Sequence, residues 1–96
     1  MRKGRLVQGK LLSLRYLKSA LDYSRAGFVV SRHVGGAVVR NMVKRRLKEI
    51  ARTSQIQGVW DTVFIAKAGA SEARFAELKA EFYLLLKKAG LLGQPG

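Results

Sequence analysis

The chain has 96 residues, enough for one domain with a single hydrophobic core, and 48% of them are apolar, which excludes a disordered basic tail. Lys and Arg number 19 against 6 Asp and Glu, a net charge of +13 that repels itself unless it meets a polyanion such as nucleic acid or an anionic membrane surface. Cysteine is absent, so disulfides and thiolate metal sites are excluded and the redox compartment is left open.

The first eighteen residues alternate loosely and predict two short strands, Arg5–Gln8 and Lys10–Lys18, broken at Gly9. The N-terminus has no apolar stretch of the secretory type, so the expected compartment is the cytoplasm. In KLLSLRYLK a period of two sets Leu12, Leu14 and Tyr16 on one face and Ser13 and Arg15 on the other. Arg2, Lys3, Arg5, Lys10, Arg15 and Lys18 accumulate here with no acid before Asp22. They read either as a second basic surface or as edge-strand cations that discourage aggregation. SALDYSRAG is turn-like, with Tyr23 at its surface; the β-branched and aromatic stretch Gly27–Arg32 predicts a buried strand containing Phe28.

Gly35 and Gly36 break that strand, and from Ala37 to about Arg52 the period becomes helical. Val39, Val43, Leu47 and Ile50 form one apolar stripe, while Asn41, Lys44, Arg45, Lys48 and Arg52 gather opposite it and Arg40 and Arg46 flank it. Within Arg40–Arg52 the single acid is Glu49. Like charges at such spacing destabilise an isolated helix, so the clustering points to a polyanion on that face. Thr53–Gly58 reads as a loop, and Trp60–Ala68 as a strand with Val63–Ala66 central in a sheet. Ser71 is the expected N-cap of a closing helix that buries Phe75, Leu78, Phe82, Leu85 and Ala89 and ends at Gly90. The expected organisation is one domain over residues 1–92 and a frayed tail at 93–96. The order β-β-β-α-β-α predicts a small α+β sandwich with helices on one sheet face. No apolar run approaches a membrane span.

Residues for catalysis are few. His33 is the only histidine and sits at the strand-to-glycine junction, a place more suited to structure or phosphate contact than to proton transfer. The six acids are scattered and form no pair for metal-assisted cleavage. The expectation is therefore a binding protein with no catalytic and no metal-ligating residues. Arginine on the helix face can bond phosphates bidentately or stack on bases, and Asn41 can bond a 2′-hydroxyl or a base edge.

At GFVVSRHVGGAVVRNMVKRRLKEIAR the chain resembles the protein subunit of bacterial ribonuclease P. Gly27, Phe28, Ser31, Val34, Gly35, Ala37, Val38, Val39, Arg40, Asn41, Val43, Lys44, Arg45, Arg46, Leu47 and Glu49 fit that family's strand, glycine turn and RNR helix in unbroken register. The likeness extends from about Gly4 to Leu92 and includes IAKAGA and FAELKAEFYLLLKKAGLL. It implies a left-handed β-α-β crossover, against the usual right-handed rule, in a fold like the second domain of ribosomal protein S5. It also implies the non-catalytic subunit of an endoribonuclease that removes the 5′ leader of precursor tRNA. The RNA subunit would supply the chemistry with Mg2+, and the protein would bind no cofactor alone and need no protein partner or membrane.

By the same register Arg32, His33, Arg40, Asn41, Lys44, Arg45, Arg46, Lys48 and Arg52 would contact the catalytic RNA, and Ser13 and Arg15 would line a leader cleft. Three positions depart from the family: Met42 stands where a basic residue is usual, and His33 and Gly36 stand where Lys is common. The family's first helix, which walls the leader cleft, would precede Met1. Either the sequence starts inside a longer reading frame or the cleft is reduced, and exposed apolar surface is expected on the sheet. The rival readings are a structural RNA-binding protein of ribosomal type and a stand-alone basic nuclease.

Overall fold

The computed structural model describes residues 4–92; the expected frayed tail at 93–96 lies outside them. The elements are β1 (Arg5–Gln8), β2 (Leu12–Lys18), β3 (Arg25–Val29), α1 (Ala37–Thr53), β4 (Trp60–Ala66) and α2 (Phe75–Ala89), with a 3-10 turn at Ala68–Ser71. They follow the predicted order. The strands form one sheet, β1-β2-β4-β3. β1 with β2 and β2 with β4 are antiparallel, whereas β3 and β4 are parallel and joined through α1. Parallel neighbours cannot be linked by a tight turn, so the crossover helix is a requirement of the topology.

The period of two decides which side of the sheet is covered. Leu12, Leu14 and Tyr16 register with Ala66, Phe64 and Thr62, and Phe28 with Phe64, so all lie on one face. α2 stacks Phe82 on Phe64 at a centroid distance of 3.9 Å, and Phe28 flanks Phe64 at 6.1 Å. α1 adds Val43, Leu47 and Ile50, all fully buried. Each such side chain contributes roughly 1.5–3 kcal/mol on burial, which fixes the rotation of α1 far more firmly than any contact on its polar side. The opposite face carries Leu6, Ser13, Arg15, Leu17, Val29, Val63 and Ile65. Leu6, Leu17 and Val29 are exposed there, the apolar surface that was expected. Among the described residues no helix is long and apolar enough to cross a membrane.

Several boundaries differ from the sequence reading. β2 starts at Leu12 because the N–H groups of Lys10, Leu11 and Leu12 turn to the Glu81 carboxylate of α2, at 3.0, 2.5 and 2.6 Å. β3 runs over Arg25–Val29 rather than Gly27–Arg32: its register opens at the Arg25–Asp61 pair, and the chain is already turning where Val34 N–H donates to Ser31 O. α2 is not capped at Ser71, which belongs to the 3-10 turn. Its N-cap is Arg74, whose N–H donates to the Glu77 carboxylate at 3.0 Å. Phe75, expected in the core, is 39% exposed, and Ala89 is only half-buried. Gly90 closes α2 in the left-handed conformation at φ 76°, as predicted.

Candidate nucleic-acid interface

α1 begins at Gly36 in an extended conformation (φ −70°, ψ 180°), with Arg40 N–H donating to Gly36 O at 2.9 Å. No acid occupies its first turn. With Val43, Leu47 and Ile50 anchored in the core, Asn41, Lys44, Arg45, Lys48 and Arg52 are all exposed on the far side. The helix dictates this juxtaposition, since residues three and four apart are surface neighbours.

Arg40 and Arg46 flank the stripe as predicted, half-buried. Arg46 Nη1 donates to Ala73 O at 3.3 Å and so ties α1 to the segment before α2. Arg40 Nε is buried with no acceptor among the described residues, at the margin of the basic face.

Arg52 is the face's paired cation: it grips Glu49 with Nη2 at 2.6 Å and Nε at 3.1 Å. The hydrogen bonds and charge of Arg52 hold the Glu49 carboxyl below its ordinary value. Among the described residues Lys44, Arg45 and Lys48 have no carboxylate partner. A groove of about 490 Å3 runs beside them, lined by Met42, Arg45, Arg46, Lys48, Glu49, Arg52 and Phe75. Phe75 is a member of this surface that the sequence reading missed. Its spacing to Leu78 and Phe82 matches a core stripe, and only the start of α2 at Phe75 itself, beside α1, brings it to the surface.

Arg32 and His33 lie exposed in the turn that enters α1, where Gly35 N–H donates to Arg32 O at 3.2 Å. The turn directly precedes the 17-residue helix, itself about 25 Å long. Ser13 and Arg15 are not part of the basic face. They lie on the sheet face turned away from the helices, with Ser13 only 7% exposed and Arg15 half-buried. The basic residues of the first strands also divide, with Arg5 and Lys18 on the helix side and Arg15 on the open side.

The acids are mostly engaged structurally: Asp61 with Arg25, Glu49 with Arg52, Glu77 with the N-cap of α2 and Glu81 with the β1–β2 turn. Among the described residues no three His, Asp or Glu side chains come together.

A family model described as Ribonuclease P matches residues 1–90. The chain belongs to the ribonuclease P protein family. The ribonuclease P protein component of Syntrophomonas wolfei is 35% identical over 94 residues, which cover 96% of this chain and 79% of that protein. That of Dehalococcoides mccartyi strain 195 is 43% identical over 86 residues, 90% of this chain and 72% of the relative. Among solved structures, the RNase P protein of Staphylococcus aureus superposes with a TM-score of 0.85 at 26% identity, covering 96% of this chain and 86% of that one. The RNase P protein of Thermotoga maritima gives 0.82 at 32% identity, with 91% and 84% covered. Ribonuclease P is an endoribonuclease of tRNA processing and a ribonucleoprotein in which the protein subunit is not the catalyst. Membership therefore places this basic helix in a ribonucleoprotein enzyme whose protein subunit is not the catalyst.

Proposed function

We propose that the exposed face of α1, with Arg32, His33, Arg40, Asn41, Lys44, Arg45, Arg46, Lys48 and Arg52, binds the ribonuclease P RNA. The open sheet face bearing Arg15 beside Ser13 receives the 5′ leader of precursor tRNA. The observation that carries this reading is the row Lys44, Arg45 and Lys48: three exposed cations on one helix face without a carboxylate partner among the described residues. Clustering them costs self-repulsion, which RNA phosphates convert into attraction with release of counterions.

On the sheet side, Arg15 supplies a cation over a surface of Leu6, Leu17 and Val29, suited to an extended strand whose bases meet apolar side chains. The protein's part is to hold leader and catalytic RNA together and to screen their phosphates from each other. Among the described residues its side chains gather no set of oxygen or imidazole ligands, so the place of Mg2+ in this reading is on the RNA, where it supplies charge stabilisation for hydrolysis. The compartment in which both RNAs are met is the cytoplasm.

The test is cleavage of precursor tRNA by a bacterial ribonuclease P RNA at low magnesium, with and without the chain. Strong stimulation is expected, and its absence would overturn the reading. Lys44→Ala and Arg45→Ala should each weaken RNA binding and lower the salt slope of log affinity by about one counterion. An unchanged slope in both would remove α1 from the interface.

A further inference from the structure

The strand register brings four residues together that neither surface above uses. β1 pairs Arg5 with Tyr16, and β2 pairs Lys18 with Trp60. By alternation all four share the helix-covered face of the sheet, near Ala89 at the end of α2. There they line a groove of about 420 Å3, together with Leu17 and Ala89.

Tyr16 and Trp60 meet edge to face, 5.9 Å between centroids at 68°. The indole is fixed: Nε1 donates to Gln57 O at 3.0 Å, and Gly58, at φ 89°, makes room for it where a Cβ would come within 3.0 Å of that nitrogen. With its N–H already bonded, the indole offers ring surface rather than a donor. Arg5 and Lys18 are exposed, and among the described residues no acid lines the groove, the nearest in sequence to Trp60 being Asp61 on the opposite face, held by Arg25.

We propose that this groove is a stacking site for one unpaired RNA nucleotide, with its base against Tyr16 and Trp60 and its phosphate between Arg5 and Lys18. Aromatic surface flanked by cations is the combination that holds unpaired nucleotides, because every base has a π face and every linkage a charge. The volume lies within the usual range for small-molecule pockets, about 300–1,000 Å3. The proposal rests on the reading of the chain as an RNA-binding subunit and adds to it a contact on neither α1 nor the open sheet face.

Trp60 is the only tryptophan of the chain, so its emission reports this groove alone. The probe is a single-stranded pentaadenylate, compared with an oligomer of the same backbone lacking its bases. Pentaadenylate should quench Trp60 and the abasic strand should not. Tyr16→Leu should raise the half-saturating concentration at least about fivefold, and the exposed Lys18→Ala should lower the salt slope by about 0.7. Equal quenching by both strands overturns the proposal, as does titration of both variants like the parent. Since Lys18→Ala leaves the core intact, a folding defect in Tyr16→Leu does not remove the test. Stimulated precursor-tRNA cleavage with a silent Trp60 would sink this site and keep the proposed function. Base-dependent quenching without stimulation would do the reverse.

Discussion

At the scale of single residues, two adjacent glycines at the entrance to α1 have opposite reasons to be there. Gly35 lies at φ 156°, and a Cβ built on it would approach Val39 Cγ1 to 2.7 Å. Gly36 is extended and a Cβ there meets nothing within 4 Å. Gly35→Ala should therefore destabilise the fold by about 1–3 kcal/mol, or several degrees in Tm for a domain of this size. Gly36→Lys should melt within a degree or two of the parent while adding a cation next to the turn that carries Arg32 and His33. Comparable melting of both variants would refute the assignment. A second residue-scale effect depends on pH. Arg25 grips Asp61 with Nη2 at 2.7 Å and Nε at 3.0 Å, and these bonds hold the Asp61 carboxyl below its ordinary value. Because the folded value is depressed, the stability it contributes is complete above the ordinary carboxylate range, near pH 4, and is lost as the pH falls through the folded value. The Tm difference between the parent and Asp61→Asn should thus shrink on acidification below about pH 4. A difference that stays constant or grows would show the pair to be idle.

At the scale of elements, what was legible in the sequence is what local periodicity controls. The apolar stripe of α1, the inward set of β2 and the glycine stop of α2 depend on neighbours a few positions away. The errors arose where a distant partner decides. β2 starts two residues late because Glu81, about seventy positions on, takes the N–H groups of Lys10, Leu11 and Leu12. Nothing in KLLSLRYLK announces this, nor does the spacing of Phe75 announce that α2 begins at that residue. Glu81 also fastens the β1–β2 turn to the middle of α2, which makes it a junction between elements rather than a surface acid. Charge-assisted hydrogen bonds contribute about 1.5–3 kcal/mol each at most, and water can reach the exposed N–H of Lys10. Glu81→Ala should accordingly cost about 1–3 kcal/mol, seen as a lower Tm, with Glu81→Gln intermediate because one amide oxygen still accepts. If Glu81→Ala melts with the parent, the junction carries no weight. For the candidate site the division is the same. The cations of α1 could be read from a helical wheel, but the split of the first-strand cations between two faces required the sheet register.

At the scale of the whole molecule, one quantity acts on folding and on binding in opposite directions. A net charge of +13 sits on a body with a radius of gyration of 12.8 Å. The screening length is about 10 Å at 0.1 M salt and about 30 Å at 0.01 M, so at low salt nearly every cation feels the others, and at moderate salt only its neighbours. Two short ion pairs, Arg25–Asp61 and Arg52–Glu49, are present among the described residues, and both are partly exposed, so salt has little attraction to remove and much repulsion to screen. The free chain should therefore gain Tm as NaCl rises from about 10 to 300 mM, whereas a protein held together by surface pairs would lose it. RNA affinity must move the other way, because each phosphate contact releases a counterion whose return becomes easier as salt rises. Thermal melts and RNA titrations across one salt series test both halves together. A Tm that falls with salt would mean that the cations are balanced within the fold, and the charge would then lose its meaning as a binding surface. Opposed slopes would show that the repulsion stored in the free chain is part of what RNA binding relieves.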